Sequence, residues 1–542
     1  TNPYYGQYAS SKGEVTIEHD RNYGYNLQQL LTWRHTYGLN NIDLMLGHEY
    51  YKFKSYTLYG SKSNQFSTDN TELNGAIKNG DVGSYNRVYN VEGFFGRAQY
   101  DYDGKYFGSF SFRRDGSSYF DPDHRWGNFY SFGGAWLINK EKFFHADWVD
   151  ELKFKASYGE QGNDQIGNST RGYDLYTTTY NITNSNGNVS IVAKTLGNKN
   201  ISWEKSGNFN MGFDFSLFKN RLSGSIEYFA RKTTDMLFYF PVAVSYGYTG
   251  YYDNVGDMTN KGIEVELNGT IIDTRDLQWE GHLNLTSYRN RVTKLADANK
   301  TTTVDGKTGF VTSIGDNPYF IAEKTAMYTF YMPKYAGVNK ETGESMWYKD
   351  VTDDKGNVTG EETTTKYSDA TKHLCGSALP DVYGGFGTSV KYKGFDASID
   401  FTYQIGGKVY DQSYAASMAS PTTNSKGRTF NVDLLNAWTP TNTDTDIPRL
   451  QFGDTYSASM SDRFLTNASY LSLQNFTVGY SLPKSVISKM YLTKVRFYVS
   501  GENVWTWSKR QGLDPRQSVN GNNSGAYYSP IRTISGGITV SF

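Results

Sequence analysis

Apolar and polar residues alternate one for one in segment after segment of this chain, and the last ten residues, Thr533–Phe542, show what that demands. Ile534, Ile538, Val540 and Phe542 stand two or four apart, so an extended strand turns them to one face and Ser535, Thr539 and Ser541 to the other. A flat terminal strand leaves free N–H and C=O groups that template aggregation, whereas a closed barrel uses them, because its last strand pairs with its first. Ile538, Val540 and Phe542 therefore read as a barrel-closing signal. These ten residues alone leave an edge strand of a secreted β-sandwich open as the alternative.

The same unit recurs upstream. Tyr23–Thr36 and Ile42–Tyr59 read as long strands joined by the turn Tyr37–Asn41, with a short strand at Glu14–Glu18 before them. Phe94–Tyr102 and Tyr106–Arg114 meet at Asp103-Gly104, a dipeptide suited to the positive φ angles of a tight hairpin. Phe209–Leu217 turns through Lys219–Arg221 into Leu222–Tyr228, Ile263–Ile271 turns through Asp273–Asp276 into Trp279–Leu285, and Phe395–Ile405 and Val495–Val499 repeat the pattern. Between Tyr470 and Tyr480 the apolar phase slips by one, which predicts a β-bulge at Gln474-Asn475. About sixteen strands are expected, an even number if Glu14–Glu18 is one of them.

Connection lengths separate the architectures. Short turns alternate with long Gly-, Asn- and Thr-rich stretches at about 160–202, 238–256, 291–379, 406–462 and 508–530. Compact soluble domains seldom hold such loops, while an outer-membrane barrel has short periplasmic turns at one rim and long extracellular loops at the other. The whole of 1–542 is thus read as one transmembrane antiparallel β-barrel domain. Glu264, Glu266, Asp396, Asp400 and Arg496 are then expected to face the lumen, since a Lys or Arg on the lipid face costs roughly 2–4 kcal/mol at the midplane.

Composition excludes other classes. Aromatics make up 16% of the chain, and no apolar run approaches the length a membrane helix needs. Net charge is −1, which gives no basic footprint for nucleic acid. One cysteine, Cys375, rules out an internal disulfide and reads as an incidental small residue. Thr1 is not an initiator Met, so targeting information is expected upstream.

Several local sequences resemble one family. Arg114-Asp115-Gly116-Ser117-Ser118 with Arg125-Trp126-Gly127, Leu152–Gly159 running into Gln161-Gly162-Asn163, Trp203-Glu204-Lys205, Asn254-Val255-Gly256 followed by Asn260–Glu264, Ser469-Tyr470-Leu471, and Val499–Asn503 with Asp514-Pro515 are similar to the barrel signatures of SusC/RagA-type TonB-dependent outer-membrane transporters. The resemblance runs from about Tyr23 to Phe542. It implies a barrel of roughly 22 strands filled by an N-terminal plug. It also implies a SusD-like surface lipoprotein over the mouth, energy from the TonB complex, an oligosaccharide or peptide cargo, and dimers of such paired complexes. Plug and TonB box are missing from these residues and about six strands are too few for that barrel, so the chain is expected to be the C-terminal part of a longer one. Arg516 stands where the family often has an acidic residue.

No catalytic constellation emerges: the seven histidines are scattered and none has HExxH spacing. Asp115, Asp121 and Asp123, like Asp350, Asp353 and Asp354, lack the spacing of a calcium loop, so no metal and no cofactor is expected. Loop aromatics are the candidates for substrate contact: Tyr246, Tyr248, Tyr251, Tyr252 with Asp253, Trp347 beside Tyr348, Trp438, and Tyr527 with Tyr528. Packing the loops together is the competing role for each. Three functions stay in play: TonB-driven import of an oligomeric nutrient, passive diffusion through a porin, and adhesion or glycan binding by a secreted β-protein.

Overall fold

The computed structural model describes residues 12–542 except 68, 166–174, 249, 255, 315–316, 423–428, 489–490 and 524–528. Fifteen strands form one sheet in which sheet order follows chain order. They are β1 (Glu14–Tyr37), β2 (Asn40–Gln65), β3 (Ala76–Tyr102), β4 (Tyr106–Ser117), β5 (Trp126–Leu137) and β6 (Val149–Asn163), then β7 (Glu204–Leu217), β8 (Leu222–Thr234), β9 (Asp257–Asp273) and β10 (Leu277–Lys294). The series ends with β11 (Val382–Tyr392), β12 (Phe395–Ile405), β13 (Tyr470–Ser481), β14 (Lys494–Ser508) and β15 (Thr533–Ser541).

The chain divides into two compact units, residues 1–135, 157–207 and 233–255 in the first and 136–156, 208–232 and 256–542 in the second. Within the first, β1 through β4 pair antiparallel and are joined by 38–39, 66–75 and 103–105. Within the second, β9 through β15 are linked alternately by short and long connections: 274–276, 295–381, 393–394, 406–469, 482–493 and 509–532. Antiparallel pairing puts successive connections at opposite ends of the strands, so this unit has a short end and a long end.

The alternation expected at Phe395–Ile405 sets that strand's bounds, and the hairpin at Asp103-Gly104 carries φ of 56° and 58°. The phase slip is also real. Asp400 and Phe401 of β12 oppose Asn475 and Leu473, and the register with β14 breaks at the same place, leaving Gln474 as the extra residue. Leu471, Leu473, Phe476 and Val478 thereby all oppose apolar residues of β12.

Two expectations need correction. Glu14–Glu18 is not a separate strand: the register from Glu14↔Ser63 to Tyr37↔Asn40 is unbroken, because β2 runs opposite the polar stretch Asp20-Arg21-Asn22 and supplies it with partners. Among the described residues the large sheet then has fifteen strands. β3 starts at Ala76 rather than Phe94, since the polar, glycine-containing stretch Lys78–Asn90 pairs with β2 without any apolar periodicity to announce it. The last strand ends at Ser541, one residue before Phe542, which is 90% exposed, and among the described residues β15 pairs with β14.

The long connections carry their own cores. In the first unit Phe120, Phe129, Leu175, Ile201, Trp203 and Tyr252 cluster, and the Trp203 indole N–H donates to the Arg125 carbonyl at 2.7 Å. In the second, a five-stranded and a three-stranded sheet fold within 295–381, and Tyr319, Phe330, Met332, Cys375, Tyr410, Met418 and Phe464 pack together. Burial pushes the Cys375 thiol up to about 11, so it stays protonated and inert.

Candidate functional site

The wall has two chemically opposite faces. On β1, Leu31 and Trp33 stand opposite Leu46 and Leu44 of β2, and those opposite Gly96 and Ala98 of β3, which face Phe112 and Phe110 of β4. Leu31 is 69% exposed and Phe110 52%, so none of the described residues covers this face. One residue along, the side chains are charged. Glu49 accepts from Asn26, Gln28 and Arg113 at 3.0, 3.0 and 2.8 Å, and Asp43 from Arg34 at 2.5 Å.

Glycines make that ionic face possible. Arg496 on β14 reaches Asp396 on β12 with two hydrogen bonds of 2.9 and 2.5 Å, lying across Gly479 of the strand between, where a Cβ would overlap the guanidinium. His282 on β10 lies 3.2 Å from Asp400 on β12 across Gly387, and Arg113 meets Glu49 across Gly93. Lys155 on β6 bridges Asp214 at 2.7 Å and Glu227. A bare backbone on the middle strand therefore lets charged groups two strands apart neutralise each other, which two charges on a wall of low dielectric require.

At the long end of the second unit a cleft of about 590 Å³ opens between the helix α1 (Gln412–Ser417) and the connection 509–532. Asp411 caps α1, its Oδ1 accepting the Tyr414 N–H at 3.0 Å. The Arg510 guanidinium lies 3.5 Å from the Tyr414 ring centroid and donates to Asp411 Oδ2 at 3.3 Å. The Tyr414 hydroxyl donates to Asp433 at 2.7 Å. Burial, reinforced by Asp433, pushes that hydroxyl up to about 12, so it remains a donor at every physiological pH. Nearby, Asp514 caps the turn Pro515–Gln517 and holds Arg516 through bonds of 2.8 and 2.7 Å, while Arg516 Nη1 donates to Ser472 Oγ at 3.1 Å. The arrangement offers a planar cation, a hydroxyl and carboxylates on a shaped floor, which suits binding rather than bond-making.

The aromatic candidates scatter. Trp347 is 1% exposed and packs edge-on against Tyr367, so it supports its sheet and cannot present a face to a ligand. Tyr252 is buried with Trp203, and Asp253 accepts from Asn198 at 2.9 Å, fastening the hairpin Leu237–Pro241 and Gly250–Asn254. Tyr251 packs tilted against Phe240 with ring centroids 5.5 Å apart, Tyr248 is half-buried and Tyr246 is 70% exposed. Trp438 lies over Gly343 and donates to the Lys340 carbonyl at 3.1 Å. Tyr527 and Tyr528 lie outside the described residues. Ile538 and Val540 are exposed on the apolar side, while Glu264 and Glu266 stand exposed on β9 opposite Thr286 and Asn284. Asp115 is taken up by Arg113 and Asp121 by the Asp123 N–H, so these three do not converge.

A family model described as TonB dependent receptor-like, beta-barrel, matches residues 1–336. The chain belongs to that family. TonB-dependent receptor P3 of Formosa agariphila is 29% identical over 550 residues, covering 98% of this chain and 53% of that protein. TonB-dependent receptor SusC of Bacteroides thetaiotaomicron is 28% identical over 522 residues, covering 95% and 49%. A solved structure of the RagAB peptide transporter matches with a TM-score of 0.82 at 28% identity over 98% of this chain and 56% of that one. The chain spans about half the length of the curated relatives it matches. TonB-dependent receptor barrels reside in the outer membrane of Gram-negative bacteria and are not enzymes, and both statements hold for this chain. In this receptor barrel, reading the sequence did not find Arg510, Tyr414, Asp411 and Asp433. Only Asp514-Pro515 pointed to the neighbourhood, because Arg510 lies on 509–532 and the other three on 406–469, about a hundred residues earlier.

Proposed function

We propose that this chain forms part of the wall of a TonB-driven importer of an oligomeric nutrient, an oligosaccharide or a peptide. The observation that carries the reading is the division of one sheet into an uncovered apolar face and an ionic face built over glycines, in a chain of this family. On this reading Leu31, Leu46, Phe110 and their neighbours meet lipid, and Glu264, Glu266, Asp396, Asp400 and Arg496 line the lumen. The long connections reach the outside, where the cleft at Arg510 and Tyr414 takes part in receiving cargo. Further strands complete the barrel towards roughly 22, a plug fills it, a SusD-like lipoprotein lids it, and the paired complexes dimerise. The likeness to SusC and to the RagAB peptide transporter supports this partner and leaves both cargo classes in view.

Uptake of labelled oligosaccharides and of labelled peptides by cells expressing the receptor tests it. Accumulation of one class should vanish when the TonB complex is removed. Unchanged accumulation without TonB rejects the reading.

A further inference from the structure

We infer that Asp350, Glu361 and His373 form a binding site for one divalent transition-metal ion, with Zn²⁺ the best match. Asp350 lies on the strand Ser345–Thr352 and Glu361 on Val358–Thr364, and the antiparallel register sets the two carboxylates directly opposite each other. Like charges so placed destabilise a strand pair. One position along, Lys349 meets Glu362 at 2.9 Å, the pairing such a site normally has. No described lysine or arginine pairs with Asp350 or Glu361.

The third group comes from the neighbouring five-stranded sheet. His373 sits on Lys372–Ser377 opposite Met332, and that strand is fastened to the hairpin by the Thr371 N–H donating to the Tyr348 carbonyl at 3.0 Å and the Asp350 N–H donating to Thr371 Oγ1 at 2.8 Å. The His373 side chain is 12% exposed, and its Nε2 is shut off from solvent without a hydrogen-bond partner, 3.9 Å from Asp350 Oδ1. A sequestered ring nitrogen with nothing to bond is costly unless something fills the place of the partner. One ligand atom from each of the three residues lies within 4.8 Å of the others.

One imidazole nitrogen and two carboxylate oxygens are a ligand set for Zn²⁺ or a similar ion, with a fourth position for water. Ca²⁺ needs six to eight oxygens and is poorly served by three residues. The ion would cancel the repulsion between the carboxylates and staple the hairpin Ser345–Thr364 to the sheet beside it.

Titrating Zn²⁺ into the full chain, stripped of metal in detergent, with a competing chromophoric chelator reads the site directly. Zn²⁺ should bind, and the stoichiometry should fall by one in His373→Gln, while Glu361→Gln weakens that equivalent at least tenfold and millimolar Ca²⁺ does not displace it. Zn²⁺ should also raise the thermal midpoint of the native chain and not that of Glu361→Gln. That variant sits at an exposed position and carries the test if His373→Gln does not fold. Absence of Zn²⁺ binding by the native chain, or the same stoichiometry and affinity in the variants, overturns the assignment.

Discussion

Arg510 shows how one side chain can order a connection that has little regular structure. Its guanidinium is stacked on Tyr414 and bonded to Asp411, tying 509–532 to α1. Desolvated cation–π contacts contribute about 1–2 kcal/mol. Arg510→Lys keeps the charge but loses the planar stack, so hydrogen-exchange protection of the amides of residues 509–517 should fall roughly tenfold. Asp514 adds a pH dependence. Burial favours its neutral form, but the Arg516 side chain and N–H outweigh this and hold the carboxyl below its ordinary value of 3.8. The pair therefore contributes its full stability above that value and loses it as the pH falls through the lower, folded pKa. Exchange measured from pH 6 downward should show 509–517 opening only at the acid end. In Asp514→Asn that acid step should disappear, with the segment already less protected at pH 6.

Two element-scale features make sharper demands. A side chain at Gly479 would displace Arg496 from Asp396, so Gly479→Val should destabilise the chain by about 1–3 kcal/mol, the usual cost of overpacking, seen as a lower denaturant midpoint. Gly536→Ala is the control, because its Cβ would meet nothing nearer than the Tyr498 carbonyl at 3.9 Å. The bulge makes a contrasting pair. Deleting Gln474 leaves Leu473 and Phe476 on one face and should give a folded, protease-resistant chain, whereas deleting Thr477 turns Val478 and Tyr480 to the ionic side and should abolish that resistance. This bulge was legible in the sequence because a phase slip is a local signal. The glycine-bridged ion pairs were not, since Asp396 and Arg496 are joined only by a strand register that no nearby residue announces. Trp347 misled for the same reason: a tryptophan on a long connection looks accessible until that connection proves to fold its own sheets around it.

At the largest scale, most of the strand wall was readable from alternation, the polar stretch Lys78–Asn90 excepted, while the fold of the long connections was not, because their short strands carry no regular alternation. The lengths of β1, β2 and β3, which are 24, 26 and 27 residues, have a consequence of their own. A tilted strand crosses the hydrocarbon in about 9–11 residues. The uncovered apolar positions crowd toward the turns at 38–39 and 103–105, and the same face then changes to Tyr23, Tyr25, Tyr50 and Tyr56 with Arg21, Lys52 and Lys54 among them, the Lys54 ammonium 4.6 Å from the Tyr56 ring. Tyrosines of this kind mark the headgroup level. On the importer reading, about nine or ten residues of each strand remain beyond them, and at about 3.3 Å apiece and a steep tilt they rise some 20–25 Å clear of the lipid. This sector of the rim is a parapet, and whatever docks on it does so at a height where the bilayer can no longer be touched.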